Sequence, residues 1–292
     1  MAMSNLLFYE WKRLFKERNF RYILLALFVL CVGSAILSSL NYSFEEAAWS
    51  TLPKDDNGNL LQNVSLATYT LYNSWIGGLP TGLAPIIFYT MLPLCASIPY
   101  ATTIIDDRKS GYIRGFIAQY GRKRYYLCRY LMVFISGAVT ILIPLVTNYI
   151  IVACFVPARL PDAVDNLYFQ VYKDTILGGI YYLHPFLYDL LYLLIDAVFA
   201  GVWATVTMAC SFYTSSKLVA IIGPYIALLY CSYAADLALM LRVSINVEPL
   251  ELIRPISVGN AENGWVLCAE IVCMFLLALI VICIRGNKDD VF

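Results

Sequence analysis

Tyr22-Ile23-Leu24-Leu25-Ala26-Leu27-Phe28-Val29-Leu30-Cys31-Val32-Gly33-Ser34-Ala35-Ile36-Leu37-Ser38-Ser39-Leu40 runs for nineteen residues without a charged side chain. A hydrocarbon core about 30 Å thick is crossed by roughly 20 apolar residues rising 1.5 Å each, so this stretch is long enough to span it. Five more stretches read the same way: residues 83–105, 130–156, 184–212, 217–237 and 265–284. Inside lipid every backbone polar group must be paired within its own element, which favours helices, and the ten-residue alternation of an outer-membrane barrel is absent. The expected fold is an all-α integral membrane protein with six transmembrane helices, forming a single transmembrane domain over residues 1–292.

The composition agrees. Of 292 residues 61% are hydrophobic and 14% charged, and the mean hydropathy is +0.70. Typical soluble domains hold about 45–50% apolar and about 25% charged residues, so these charges are too few to cover a soluble surface. The same apolar excess excludes a disordered chain. Twenty basic and twenty acidic residues cancel, leaving no global field for nucleic acid, and no nucleic-acid partner is expected.

The basic residues set the expected orientation. With both termini cytoplasmic, fifteen Lys and Arg fall on inner segments and five on outer ones (Lys54, Arg159, Lys173, Arg242 and Arg254). The nine Cys lie mostly within the spans and read as small apolar fillers, with no pattern for a metal site or a disulfide framework.

Residues 5–20 read as an amphipathic interfacial helix. Leu7, Trp11, Leu14 and Phe15 recur at helical spacing, while Glu10, Lys12, Arg13, Lys16 and Glu17 fill the remaining positions. Such a helix lies with its apolar side in lipid and its basic side toward anionic headgroups, which makes membrane lipid an expected partner. Residues 41–82 form a large outer loop, in which Ser43-Phe44-Glu45-Glu46 reads as the start of a short helix, Asp56–Asn59 as a turn and Ser65–Trp75 as a second helix.

The inner segment 106–129 carries the most information. Tyr112, Ile113, Phe116 and Ile117 cluster at helical spacing between Asp106-Asp107-Arg108-Lys109 and Gly121-Arg122-Lys123-Arg124. A short amphipathic helix there is either a surface for a cytoplasmic partner or a solvated loop obeying the charge bias. No Gly-x-x-x-x-Gly-Lys-Ser/Thr segment is present, so nucleotide binding in the usual phosphate cradle is not expected of this chain, nor is enzymatic activity.

Asp106-Asp107-Arg108-Lys109-Ser110-Gly111-Tyr112-Ile113-Arg114, followed by Tyr120–Tyr126 and Arg129-Tyr130-Leu131, resembles the segment between the second and third helices of permeases of type-2 ATP-binding-cassette exporters. The order of amphipathic helix, spanning helix, large outer loop and second span is similar too, with small bacterial peptide-export or antimicrobial-peptide immunity permeases nearest in size. The resemblance implies a transport subunit in a bacterial plasma membrane, pairing with a second copy as a homodimer and with two cytoplasmic ATPase subunits that bind ATP and Mg. It implies ATPase coupling through Asp106, Asp107, Arg108, Tyr112, Ile113, Arg114 and Phe116. An amphipathic peptide or lipid-like cargo is then expected, and the rival reading is a non-transporting sensor or scaffold that docks a cytoplasmic partner.

Ionisable residues within spans cost at least about 2.5–3.5 kcal/mol on insertion scales, so their presence calls for a use. Asp189 and Asp196, seven residues apart, share nearly one face of the fourth span with Tyr192; Asp236 lies late in the fifth and Glu270 early in the sixth. They read either as a polar substrate path or as groups satisfied by Tyr hydroxyls, backbone or outer arginines such as Arg242 and Arg254. Pro85, Pro93, Pro99, Pro144 and Pro224 interrupt the spans and permit kinks.

Overall fold

The computed structural model describes residues 2–51, 68–79, 82–162, 169, 171–172, 175–240, 246–256 and 262–288, with side chains for all but 2–6, 236, 238–240 and 287–288. Regular structure among them is helical. In chain order the helices are α1 (Ala2–Lys16), α2 (Arg18–Ser50), α3 (Leu71–Ser74), α4 (Leu83–Ser97), α5 (Thr103–Lys109), α6 (Tyr112–Tyr120), α7 (Arg122–Phe155), α8 (Gly178–Tyr181), α9 (Pro185–Cys210), α10 (Lys217–Met240), α11 (Pro249–Leu252) and α12 (Gly264–Lys288).

Five of these, α2, α7, α9, α10 and α12, are long and apolar enough to cross a membrane. The sixth expected span behaves differently. Residues 83–105 do not form one helix: α4 stops at Ser97 after 15 residues, turns through 98–102, and the chain resumes as α5. Pro99 supplies the reason: Ile98 still has helical dihedrals and bonds the Leu94 carbonyl, but Pro99 has no N–H to continue the backbone ladder. At 1.5 Å per residue α4 is roughly 22 Å long.

α9 is the axis of the molecule. Two thirds of its apolar window (67%) is buried, against 33% for α2, α7 and α10 and 17% for α12. Its closest neighbour is α7, and the two backbones approach through small residues. A Cβ on Gly137 would sit 2.6 Å from the Ala200 carbonyl oxygen, and one on Gly201 would sit 2.8 Å from that of Phe134. In lipid, where apolar faces gain little by leaving their solvent, such close contact is what holds helices together. Asn148, fully buried on α7, donates to the Cys31 carbonyl of α2 at 2.7 Å and accepts from the Ile76 N–H at 2.9 Å. That one side chain ties α2, α7 and the segment after α3.

Both ends of the described chain lie at the same end of the bundle, here termed basal. Arg13 of α1 meets Asp107 of α5 there, and Gly286 of α12 abuts the Tyr126 ring at the start of α7. Where the sequence suggests a new helix at Ser43–Glu46, α2 continues unbroken to Ser50, because the Ser43 hydroxyl donates back to the Ser39 carbonyl at 3.0 Å instead of capping. Thr70 and Asn73 cap each other reciprocally at the start of α3, within the stretch expected to be helical, whereas the Asp56–Asn59 turn lies outside the described residues. The cysteines are only partly fillers: Cys31 and Cys128 are buried, while Cys154, Cys231, Cys268, Cys273 and Cys283 stand on exposed helix faces.

Enlarging the α7–α9 contact should therefore be costly. Gly137→Val and Gly201→Val are each expected to destabilise the protein by about 1–3 kcal/mol through overpacking. Gly33→Ala, with nothing within 4 Å of its would-be Cβ, should leave stability unchanged in the same detergent unfolding series.

Candidate functional site

The break at Pro99 turns Tyr100 and Thr103 inward at the basal end, where they meet Arg129 from the second turn of α7. Arg129 is 1% exposed and uses both terminal nitrogens twice. Nη1 donates to Glu10 Oε2 and to the Tyr100 hydroxyl, each at 2.5 Å. Nη2 donates to Asp107 Oδ2 at 2.9 Å and to the Thr103 hydroxyl. The Tyr100 hydroxyl donates in turn to Glu10, and its ring lies 4.2 Å beneath the guanidinium.

Arg13 closes the group from the side, gripping Asp107 with both nitrogens at 3.0 and 2.5 Å while standing 4.6 Å over the Tyr112 ring. Burial alone would lower the Arg13 pKa; the Asp107 carboxylate outweighs it and holds the guanidinium above its ordinary value. Two arginines and two carboxylates leave the cluster neutral. It fastens α1, α5, α6 and α7 together.

The expected coupling residues separate into inward and outward groups. Asp107 belongs to the cluster, and Ile113 is fully buried against it. Phe116 packs on Tyr9 of α1 (ring centroids 5.6 Å apart) and on Tyr112 (4.7 Å). The apolar side of α6 is thus spent within the molecule, on α1 and α7. Asp106 pairs with Lys217, Lys109 donates to the Ser215 carbonyl at 3.0 Å, and Arg108 covers the Phe212 ring at 4.4 Å, so the end of α5 also grips the turn between α9 and α10. Arg114 remains exposed on the outer side of α6, with Gln119, Lys123 and Arg124 also exposed. Gly111 and Gly121 bracket α6 at φ of +71° and +82°, a region that favours glycine.

α1 also divides its expected face. Leu14 is buried and Leu7 half-buried against the protein beside Glu10, while Trp11 and Phe15 point outward with Phe8. The polar face expected to meet headgroups keeps only Lys12 and Lys16 exposed, because Glu10 and Arg13 turn inward. Sequence reading missed Glu10, Tyr100, Thr103 and Arg129 as one unit. An arginine inside the apolar run Tyr125–Leu131 was the available signal.

From the opposite, apical end of α9 to its middle, the acids Asp189 and Asp196 are deeply buried among aromatic side chains. Asp196 accepts from the Tyr89 hydroxyl of α4 at 3.2 Å, and Arg254 lies 5.7 Å from the face of that ring. Asp189 faces Tyr149 and Trp75, with neither oxygen in a completed hydrogen bond among the described residues. Tyr192 donates to the Ile176 carbonyl at 3.1 Å. Glu270 is half-buried on α12, and the side chain of Asp236 lies outside the described residues, as does Arg242. Glu262, just before α12, accepts from the Ile176 N–H at 3.2 Å. Burial pushes its carboxyl up to about 7, with nearby Glu251 adding to the rise and the Ile176 amide opposing it.

Removing one partner from a buried ion cluster leaves the others uncompensated, at about 3–5 kcal/mol. Arg129→Met should therefore destabilise strongly, and adding Glu10→Gln and Asp107→Asn should restore part of the loss; a chemical denaturation series reads both effects. For Glu262 the folded state binds more protons than the unfolded one between 4.5 and about 7. Its contribution to stability is in place below the lower value and is lost as pH rises through the upper one. The thermal midpoint should fall over that interval, and Glu262→Gln should flatten the decline.

Comparison of the chain with protein families, with curated proteins and with solved structures finds no match, so its function is to be read from these side chains and their arrangement.

Proposed function

We propose that the chain is the membrane-spanning permease subunit of an ATP-driven exporter, working with a second copy of itself and with two cytoplasmic ATPase subunits that bind ATP and Mg. The basal end then faces the cytoplasm of a bacterial cell, in keeping with the fifteen basic residues assigned to that side.

The observation that carries the reading is the way α5 and α6 are fastened. A force applied to the exposed side of α6 passes through Asp107 and Arg129 into α1 and α7, and through Asp106, Arg108 and Lys109 into the turn between α9 and α10. α6 thus serves as a handle on most of the bundle. The glycines at its two ends let the handle change angle without breaking the cluster beneath it. The exposed residues Arg114, Gln119, Lys123 and Arg124 suit an acidic groove on a partner.

α1 supports the same picture. It lies against the basal end with Phe8, Trp11 and Phe15 outward and Lys12 and Lys16 beside them, the pattern of a helix seated in the membrane interface. α12, the least buried of the long helices, has the most apolar surface to offer to lipid or to a second copy. The cargo is an amphipathic peptide or a lipid-like molecule, which fits the aromatic apical end and its buried acids.

Purification of the intact chain from its native membrane in mild detergent should bring down a polypeptide with a phosphate-binding loop and ATP hydrolysis sensitive to vanadate. Arg114→Glu, on the exposed side of α6, should reduce that association about tenfold, equivalent to about 1.4 kcal/mol, with no change in thermal midpoint. A stable cytoplasmic partner that hydrolyses no nucleotide would instead favour the scaffold reading.

A further inference from the structure

α9 and α12 pack side by side and leave between them, toward the basal end, a trough of about 220 Å³. Val206, Cys210 and Tyr213 form one wall, and Met274, Leu277 and Val281 the other. Both sets recur at spacings of three and four residues, so each wall is one helix face and the trough is straight. The seven steps from Met274 to Val281 make it roughly 10 Å long. No charged side chain lines it. It opens sideways, because Leu277 and Tyr213 are 57% and 62% exposed. Arg285 stands one turn beyond Val281, at the basal mouth. Its exposed guanidinium lies 4.6 Å over the Tyr213 ring and forms no ion pair among the described residues.

Depth and charge narrow the occupant. The candidate span in α9 ends at Cys210 and that in α12 at Gly286, two residues before α12 itself ends at Lys288. Tyr213 and Arg285 therefore stand together at the basal limit of both spans, where headgroups begin, and the apolar trough runs from them into the acyl region. Other exposed charges at this end are cations, among them Lys12, Lys16, Arg18, Arg21 and Arg124. Asp106, the exposed acid there among the described residues, is already paired with Lys217. A second copy would thus bring like charge to Arg285, whereas a phosphate brings the opposite sign.

We propose that the trough holds one acyl chain of an anionic phospholipid from the basal leaflet, with the lipid phosphate on Arg285. A guanidinium offers paired N–H donors that match two phosphate oxygens, and the Tyr213 hydroxyl stands beside it as a further donor. Stacking on the Tyr213 ring keeps the guanidinium at the mouth before the lipid arrives, so less ordering is needed on binding. Net charge then selects the headgroup. Phosphoglycerol adds no cation, while phosphoethanolamine and phosphocholine bring an ammonium that meets no carboxylate in the trough lining. The proposal goes beyond the permease reading and stands without it, because nothing in it requires an ATPase partner or a transport cycle.

The test uses the full chain, delipidated in non-ionic detergent, with dioctanoyl phosphatidylglycerol, phosphatidylethanolamine and phosphatidylcholine as probes, read by native mass spectrometry. A phosphatidylglycerol with a photoreactive group on its acyl chain locates the bound lipid by peptide mapping. Phosphatidylglycerol should bind about fivefold more tightly than either zwitterionic lipid, and its cross-links should fall within residues 206–213 and 274–281. Arg285→Gln should remove the preference, and Arg285→Lys, which keeps the charge, should retain most of it. Leu277→Trp enlarges an exposed side chain at the rim and should block the cross-links with the thermal midpoint unchanged.

Equal affinity of the unmodified chain for the three lipids overturns the proposal. So does a phosphatidylglycerol preference that survives Arg285→Gln, or a set of cross-links confined to other helices. Equally tight binding of water-soluble glycerophosphoglycerol, which lacks acyl chains, overturns the role of the trough. If Leu277→Trp instead separates a two-copy particle into single chains and leaves lipid binding unaltered, the trough belongs to a second copy and the lipid assignment fails.

Discussion

The guanidinium of Arg129 is the constraint on which the basal end depends. A buried charge must be opposed and hydrogen-bonded, and Arg129 is met by Glu10 from α1, Asp107 from α5, and the hydroxyls of Tyr100 and Thr103. None of these partners is close to it in sequence. Their convergence fixes the positions of α1 and α5 relative to α7, and Arg13 repeats the constraint from the outside. Such a cluster contributes modestly to net stability, since desolvating its ions offsets most of their attraction. Its effect is geometric: sliding α1 or α5 by one turn would strand a charge, so alternative packings are penalised heavily.

That geometry gives α1 two different sides. A helix lying only on a membrane needs one apolar face, but α1 needs a second face for the protein, and Glu10 and Leu14 belong to it. The aromatic side chains divide accordingly. Tyr9 stacks toward Phe116 of α6, while Phe8, Trp11 and Phe15 remain outward, with Lys12 4.4 Å over the Phe8 ring. The outward aromatic face of α1 and the α5–α6 segment are thereby joined through one helix.

Hydropathy made the long helices legible in the sequence, because a lipid-crossing segment must be apolar over its whole length whatever it packs against. Pro99 was legible as an interruption, yet its consequence was not, since ending α4 matters through where it sends Tyr100. The cluster itself was invisible: Glu10 and Arg13 look like the solvated side of an amphipathic helix, and Arg129 like one more inner cation. Their pairing spans 119 residues between Glu10 and Arg129, and no local pattern records a separation of that kind. For α6, helical spacing revealed the apolar side but not its use. Ile113 and Phe116 resemble a partner surface until α1 is placed against them. Toward the apical end the buried acids were evident individually, whereas their surroundings gather Trp75, Tyr89 and Tyr149 from segments whose approach depends on the fold.

The two ends of the molecule therefore handle polarity in opposite ways. At the basal end each buried charge has a counter-charge, and such networks hold a single arrangement. Toward the apical end Asp196 accepts from a phenol, and among the described residues Asp189 and Ser232 have no completed side-chain hydrogen bond. Groups with unused hydrogen-bonding capacity favour whichever conformation or ligand satisfies them, so this is the end at which binding can shift an equilibrium. α9 runs between the two, carrying Asp189 near one end and Asp196 near its middle, and passing at the other end into the turn held by Asp106, Arg108 and Lys109. Its small-residue contact with α7 leaves little room for independent movement, so displacement at one end is transmitted along the helix instead of being absorbed by loose packing. A base whose buried charges are paired and an apex whose buried groups keep unused hydrogen-bonding capacity therefore share one closely packed axis, so a change at either end is felt at the other.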